Sequence, residues 1–215
     1  MNAPATGDES LVLSYLALRK AIGIIGTALP FVLVIGKILL QGSGLEPSIS
    51  DYYYTAMRNV FVGSLWAIGV FMLSYHGYEK RDDVAGDVAC FSAIGVSLFP
   101  TTPAVATKAQ ETIGMVHYGC AMVFFLTLAY FCLFLFTKTD ATKTMTRRKR
   151  QRNGVYVACG IAMLACIAGI AIYKFFLQDT ALKALDPVFC LETVAVLAFG
   201  FSWLVKGEAL LKDEA

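Results

Sequence analysis

The chain has 215 residues, of which 57% are hydrophobic and only 16% are charged. Soluble domains carry about 45–50% apolar and about 25% charged residues, so this composition excludes an ordinary water-soluble domain and favours a protein that is solvated by lipid. The net charge of +2 says little about partners, whereas the positions of the charges say more.

Six apolar segments follow one another along the chain, and a membrane-spanning helix needs about 20 mostly apolar residues. Lipid offers no partner for backbone N–H and C=O groups, so each segment is expected to be helical. The sequence therefore predicts an all-α fold, a single domain over residues 1–215 built as a bundle of six transmembrane helices. The predicted spans are residues 21–40, 57–75, 84–99, 113–136, 155–176 and 187–205.

The first apolar segment begins directly after Arg19 and Lys20, and no small-residue cleavage pattern follows it. It is therefore expected to remain in the membrane as a signal anchor. Within this segment Gly23 and Gly26 would allow another helix to approach closely.

Lysine and arginine residues are distributed unevenly between the two ends of the predicted bundle, and the richer end is expected to be cytoplasmic. One end carries 13 of the 18 basic residues, including the run from Arg147 to Arg152 between the fourth and fifth spans. That position favours a topology determinant that contacts anionic lipid headgroups over a nucleic-acid site, so no nucleic-acid partner is predicted. Both termini are predicted to be cytoplasmic, with the first, third and fifth loops outside.

The cysteines and histidines do not form a pattern that is typical of a metal site. The six cysteines lie in apolar segments without a CxxC pair, and the chain has only two histidines. The cysteines are therefore interpreted as small packing residues, and no metal and no cofactor are predicted.

The first outer loop, residues 41–57, leads into the densest polar patch of the chain. Ser50 is expected to be the N-cap of the second helix, and Asp51 would then lie at the positive end of the helix dipole. From that start, Asp51, Tyr54 or Thr55, and Arg58 would share one helix face.

Further polar residues are expected at the same depth in the membrane as Asp51 and Arg58. They are informative because polar groups inside a membrane are costly. Thr101 and Thr102 end the third span, His117 lies near the outer end of the fourth, and Glu192 lies in the sixth. We expect the carboxylates of Asp51 and Glu192, the Arg58 guanidinium and the His117 ring to surround one outward-facing cavity.

Three interpretations of this polar cluster remain open from the sequence. It is a set of ion pairs that ties the helices together, a binding pocket, or a catalytic site. As a pocket it would bind a lipid headgroup or a small polar ligand, with membrane lipids as the expected partners; the binding residues would be Ser50, Tyr54, Arg58, Thr101 and Thr102. As an intramembrane hydrolase or transferase it would use His117 with a carboxylate, Asp51 or Glu192. The oligomeric state is not predicted.

Several stretches carry a resemblance to a known group of proteins: SISDYYYTAMRNVFVGSLWAIGVF, GYEKRDD, FPTTP, the histidine of MVHYG, and ETVAVLAFGFSWLVKGE. Over residues 21–208 the chain resembles small bacterial six-span membrane proteins of unknown function. It is similar, more distantly, to DRAM/Sfk-like membrane proteins, which also carry a Ser-Asp element before their second span. The resemblance implies the six-span fold and a bacterial inner (plasma) membrane, and it implies no reaction.

A second resemblance, to seven-span zinc hydrolases of the ceramidase type, covers only Ser50, Asp51 and His117. Those enzymes use three zinc-binding histidines. Here His76 is expected at the opposite face of the membrane from His117, so a three-histidine zinc site is excluded within one chain.

Overall fold

The computed structural model describes residues 7–42, 44–75, 79–139 and 145–212, which form six α-helices and contain no strand. The all-α prediction is confirmed for this part of the chain; His76 lies outside it. The helices are α1 (Gly7–Gln41), α2 (Arg58–Leu73), α3 (Lys80–Leu98), α4 (Lys108–Tyr130), α5 (Arg147–Ile172) and α6 (Pro187–Lys206). One π-helical turn continues α4 (Phe131–Leu135) and another continues α5 (Tyr173–Leu177), while 3₁₀ turns cover Ser50–Tyr54 and Ala181–Leu185.

Most helices begin earlier than their apolar segments, because polar capping residues set their starts. Glu79 and Asp82 form a capping box at the start of α3, and the Thr107 side chain accepts a hydrogen bond from the Gln110 N–H at the start of α4. These caps satisfy backbone N–H groups that have no partner inside the helix. Helices α3 and α4 therefore begin before residues 84 and 113, where the predicted third and fourth spans start.

Four helical stretches in the described part are long and apolar enough to cross a membrane: Tyr15–Gln41, Lys108–Leu135, Arg147–Leu177 and Pro187–Lys206. The apolar helix α2 is shorter, with 16 residues. Helix α3 carries five charged residues in its first eight positions. Both nevertheless belong to the same bundle, in which neighbours in the chain pack together and α6 closes the ring against α1.

Small residues bring α1 and α6 into backbone contact. A Cβ atom on Gly23 would lie 2.7 Å from the Leu204 nitrogen, and one on Gly200 would lie 2.5 Å from the Thr27 nitrogen. A Cβ on Gly26 would lie 2.9 Å from the Phe199 ring. The close approach expected from Gly23 and Gly26 is thus confirmed, and it makes α1–α6 a tight helix pair.

An aromatic cluster around Trp203 fills the core at the end of the bundle where α6 terminates. The Trp203 ring is 0% exposed, and its centroid lies 5.2 Å from Phe136, 5.6 Å from Tyr75 and 5.8 Å from Phe131. The contacts with Phe136 and Tyr75 are edge-to-face, an arrangement that adds to the free energy gained from burial. The cluster joins α6 to the ends of α2 and α4.

An ion pair closes the same end of the bundle between α3 and the segment after α4. Asp82 is buried, and its Oδ1 lies 2.8 Å from Lys138 Nζ. This hydrogen bond raises the pKa of Lys138, because the charged ammonium is stabilised by the carboxylate.

The α1–α6 contact yields a test with a matched control. We expect Gly200→Ala to cost about 1–3 kcal/mol of stability through overpacking, and therefore to lower the midpoint of thermal unfolding in detergent. Gly154→Ala in α5, where a Cβ would meet nothing within 4 Å, should be neutral or slightly stabilising. Equal midpoints for the two variants would contradict a tight α1–α6 contact.

Candidate functional site

The long loop, residues 44–57, folds back onto the end of the bundle instead of extending away from it. It buries Ile49, Tyr52 and Met57 in an apolar cluster that includes Leu33 of α1 and Phe189 of α6. An ion pair of 2.6 Å between Lys37 and Glu46 attaches the loop to α1. The loop is therefore part of the packed structure, and we call this end of the molecule the long-loop end.

Hydrogen bonds from α6 fix the centre of the loop. The Ile49 N–H donates to Glu192 Oε2 at 2.6 Å, and the Phe189 N–H donates to the Pro47 carbonyl at 3.0 Å. The second bond supplies an acceptor for a first-turn N–H of α6, which has none inside its own helix. Glu192 therefore anchors the long loop to α6.

His117 joins three separate elements and is only 1% exposed. Its Nδ1 lies 2.7 Å from the Phe99 carbonyl and 3.1 Å from the Val96 carbonyl, both at the end of α3. Its Nε2 lies 2.9 Å from Ser50 Oγ in the long loop. The last carbonyls of a helix have no partner within it, so His117 satisfies this end of α3 while it holds the loop.

Tyrosine hydroxyls connect the loop to the segment between α3 and α4. Tyr54 donates to the Thr101 carbonyl at 2.6 Å, and the Thr101 hydroxyl donates to the Tyr118 oxygen at 3.1 Å. Thr102 packs against Gly114, where any side chain would collide with it. The loops predicted to be outside, the first and third, thus meet at one end of the bundle.

A cavity of about 670 Å³ opens at this end between the long loop, α4, α5 and α6. Its polar part includes side chains of the long loop, the segment after α3 and α6, namely Ser48, Ser50, Asp51, Thr101, Thr102 and Glu192. The charged residues Lys174, Asp179, Lys183 and Asp186 also line it. Its apolar part runs between two helices, along Ala121, Met122 and Phe125 of α4 and Ile167, Ile170 and Ala171 of α5. The cavity is therefore amphipathic along its length.

The groove between α4 and α5 is confined to the long-loop end, because these two helices are in contact at their other ends. A Cβ on Gly160 would lie 2.6 Å from Leu133 Cγ, so the helices are in close contact there. At the long-loop end they are separated by the width of the cavity. An apolar chain could enter this gap from the side.

The structure corrects two expectations about the start of the second helix. Ser50 is not a helix N-cap: its side chain bonds His117, and it is Ser48 whose hydroxyl accepts the Asp51 N–H at 3.1 Å. A 3₁₀ turn covers residues 50–54 and α2 begins only at Arg58. Asp51, Tyr54 and Arg58 therefore do not share one α-helical face.

Arg58 lies outside the cavity, so the expectation that it faces Asp51 and Glu192 is wrong. Its side chain is exposed, its Nη2 donates to the Tyr53 hydroxyl at 2.5 Å, and its guanidinium carbon lies 4.3 Å from the centre of that ring. His117 lies behind Ser50 rather than in the cavity wall. Of the predicted residues, Ser50, Asp51, Thr101, Thr102 and Glu192 line the cavity.

Two cations that were not among the predicted site residues line the cavity, Lys174 and Lys183. Lys174 lies in the π-helical turn that continues α5, directly after an apolar run. A lysine inside an otherwise apolar helix end was the available signal, because such a charge is costly unless it serves a pairing or binding role.

Asp51 is partly withdrawn from water at the polar end of the cavity. Burial raises the pKa of its carboxyl, and the negative charge of Glu46 acts in the same direction, while the hydrogen bonds from Ser48 and the charge of Lys174 oppose the shift. The ionised form is thus less favourable here than in water. A cationic group of a ligand would relieve that cost.

Comparison with family models, curated proteins and solved structures finds no match to this chain. The resemblance to bacterial six-span proteins and to DRAM/Sfk-like proteins therefore stays a prediction.

The Glu192 anchor can be tested with a conservative and a disruptive variant. Glu192→Leu removes the acceptor of the Ile49 N–H and should cost about 1–3 kcal/mol, with faster hydrogen exchange of the amides in residues 47–54. Glu192→Gln retains an acceptor oxygen and should change both much less. Slow exchange of the loop in the leucine variant would contradict the anchoring role.

Proposed function

We propose that the protein is a six-span protein of the bacterial inner membrane with both termini in the cytoplasm. Four long apolar helices support membrane insertion, and α2 and α3 pack in the same ring. The excess of lysine and arginine at the end opposite the long loop supports the orientation. The long loop and the cavity then face the outside of the cell.

At this cavity the protein binds a membrane lipid. The observation that carries the proposal is the continuity of a polar chamber with an apolar groove between α4 and α5. Ligand pockets have volumes of about 300–1,000 Å³, so 670 Å³ accommodates a headgroup with the first carbons of an acyl chain. The rest of the chain continues into the bilayer between the helices.

The charges around the cavity match a zwitterionic headgroup. Lys174 and Lys183 supply ammonium groups for a phosphate, and the carboxylates for a cationic amine come from Asp51, Asp179, Asp186 and Glu192. Arg58, which was expected among the binding residues, lies on Tyr53 outside the cavity and is not part of this site. Lys174, which lines the cavity, supplies a cation instead.

The alternative enzyme, in which His117 works with a carboxylate, lacks support in the described contacts. The ring nitrogens of His117 face Ser50 and two backbone carbonyls. No carboxylate contacts that ring among the residues that the structure describes. Lipid binding through the cavity is therefore the function that the geometry supports best.

Lipid retention tests this proposal. The wild-type protein, purified in mild detergent, should retain a phospholipid mass in native mass spectrometry. Ala171→Trp, which fills the groove, should reduce its occupancy at least about tenfold, a loss of about 1.4 kcal/mol in binding free energy.

Two variants serve as controls in the same experiment. Ala168→Trp places the same ring on the same helix at an exposed position outside the cavity, and Arg58→Ala removes the cation that lies on Tyr53. Both should retain the lipid. Equal retention by Ala171→Trp and Ala168→Trp would overturn binding at the cavity.

A further inference from the structure

We propose that Ser50 is a nucleophile with His117 as its general base, and that the site hydrolyses a carboxylic ester of the bound lipid. This inference rests on the proposed lipid binding, since the cavity must hold the ester beside Ser50. It replaces the earlier pairing of His117 with a carboxylate by a serine–histidine pair.

The contacts of the imidazole fix its tautomer. Both partners of Nδ1 are backbone carbonyls, of Val96 and Phe99, and a carbonyl can only accept. Nδ1 therefore carries the hydrogen, and Nε2 of the neutral ring has a free lone pair. The Ser50 hydroxyl, 2.9 Å away, donates to that lone pair. This is the arrangement in which a histidine removes the proton from an attacking hydroxyl.

The difference in exposure between Ser50 and His117 fits their different roles as nucleophile and general base. His117 is buried and does not line the cavity, whereas the half-buried Ser50 does line it. A ligand can therefore touch Ser50 Oγ, while the base stays behind it and is protected from solvent. A purely structural bond to His117 would not require its serine partner to stand in the wall of a ligand-sized cavity.

Ser48 provides an internal contrast. It lines the same cavity two residues away, but its hydroxyl accepts the Asp51 N–H and has no described contact with a histidine. Only Ser50 is activated by a base in this geometry. The two serines therefore form a matched pair for experiments.

The reaction balances with water as the second substrate. Ser50 Oγ attacks the ester carbonyl carbon, and its proton moves to His117 Nε2, while Nδ1–H stays bonded to the carbonyls. The intermediate expels the alcohol of the lipid, which takes the proton from Nε2 and leaves an acyl group on Ser50. Water then attacks this acyl group, gives a proton to His117, and releases the fatty acid as Ser50 regains its hydrogen.

Hydrogen-bond donors for the developing oxyanion are available in the cavity wall. Tyr118 and Thr102 contribute hydroxyls, and Lys174 contributes an ammonium group. Donors of this kind stabilise the negative charge that forms on the carbonyl oxygen. The Asp51 carboxylate in the same wall has the same sign of charge as the oxyanion, so the Lys174 ammonium has to outweigh its repulsion.

The test uses a fluorophosphonate probe on the full-length protein in detergent, with peptide mapping by mass spectrometry. Ser50 should be labelled, and on the order of a hundredfold faster than Ser48, the factor expected from a positioned base. Ser50→Ala should abolish this adduct, whereas Arg58→Ala, which changes a side chain outside the cavity, should label normally. Absence of an adduct on Ser50 in protein that retains lipid would overturn the inference and leave lipid binding intact.

A second pair of variants avoids the risk that His117 variants fail to fold. Ser50→Cys should be alkylated by iodoacetamide almost as fast at about pH 6 as at about pH 8, because the imidazole stabilises its thiolate. Alkylation of the cysteine in Ser48→Cys should be much slower at the lower pH. Peptide mapping distinguishes the introduced cysteine from the six native ones. Identical pH profiles for the two variants would overturn the role of His117. Labelling of Ser50 without lipid retention would instead overturn the lipid-binding proposal.

Discussion

Two polar side chains, Glu192 and His117, hold the long loop against the helices, and the cavity depends on that attachment. Each side chain comes from a helix. Glu192 accepts the Ile49 N–H, which would otherwise be unpaired away from water, and His117 bonds the Ser50 hydroxyl. His117 also satisfies carbonyls at the end of α3. The loop, three helix ends and the cavity wall are therefore stabilised together.

The helices create the other half of the cavity through unequal packing. Glycines allow α1 and α6 to touch along their backbones, and Gly160 brings α4 and α5 together at the end away from the long loop. The same two helices separate at the long-loop end, so the resulting gap is apolar on its sides and polar at its end. A molecule that fits such a gap has a polar head and an apolar chain, which describes the lipid that surrounds the protein.

The sequence predicts much of this arrangement but not the rotation of each side chain about its helix. Apolar segments indicate six helices, and the position of His117 and Glu192 near one end follows from their place in those segments. The 3₁₀ turn at Ser50–Tyr54 changes the register before α2, which places Arg58 on Tyr53 instead of in the cavity. The pairing of Ser50 with His117 depends on contacts across 67 residues, and no local pattern specifies it.

Photo-crosslinking with a phospholipid that carries a diazirine in one acyl chain tests the central claim most directly. After reconstitution and irradiation, crosslinked peptides should concentrate on residues 118–125 of α4 and 167–175 of α5, which border the groove. Exposed apolar residues elsewhere, such as Phe91, Phe134 and Ile161, report the surrounding bilayer. Crosslinks spread evenly over these positions and the groove would contradict a specific lipid site.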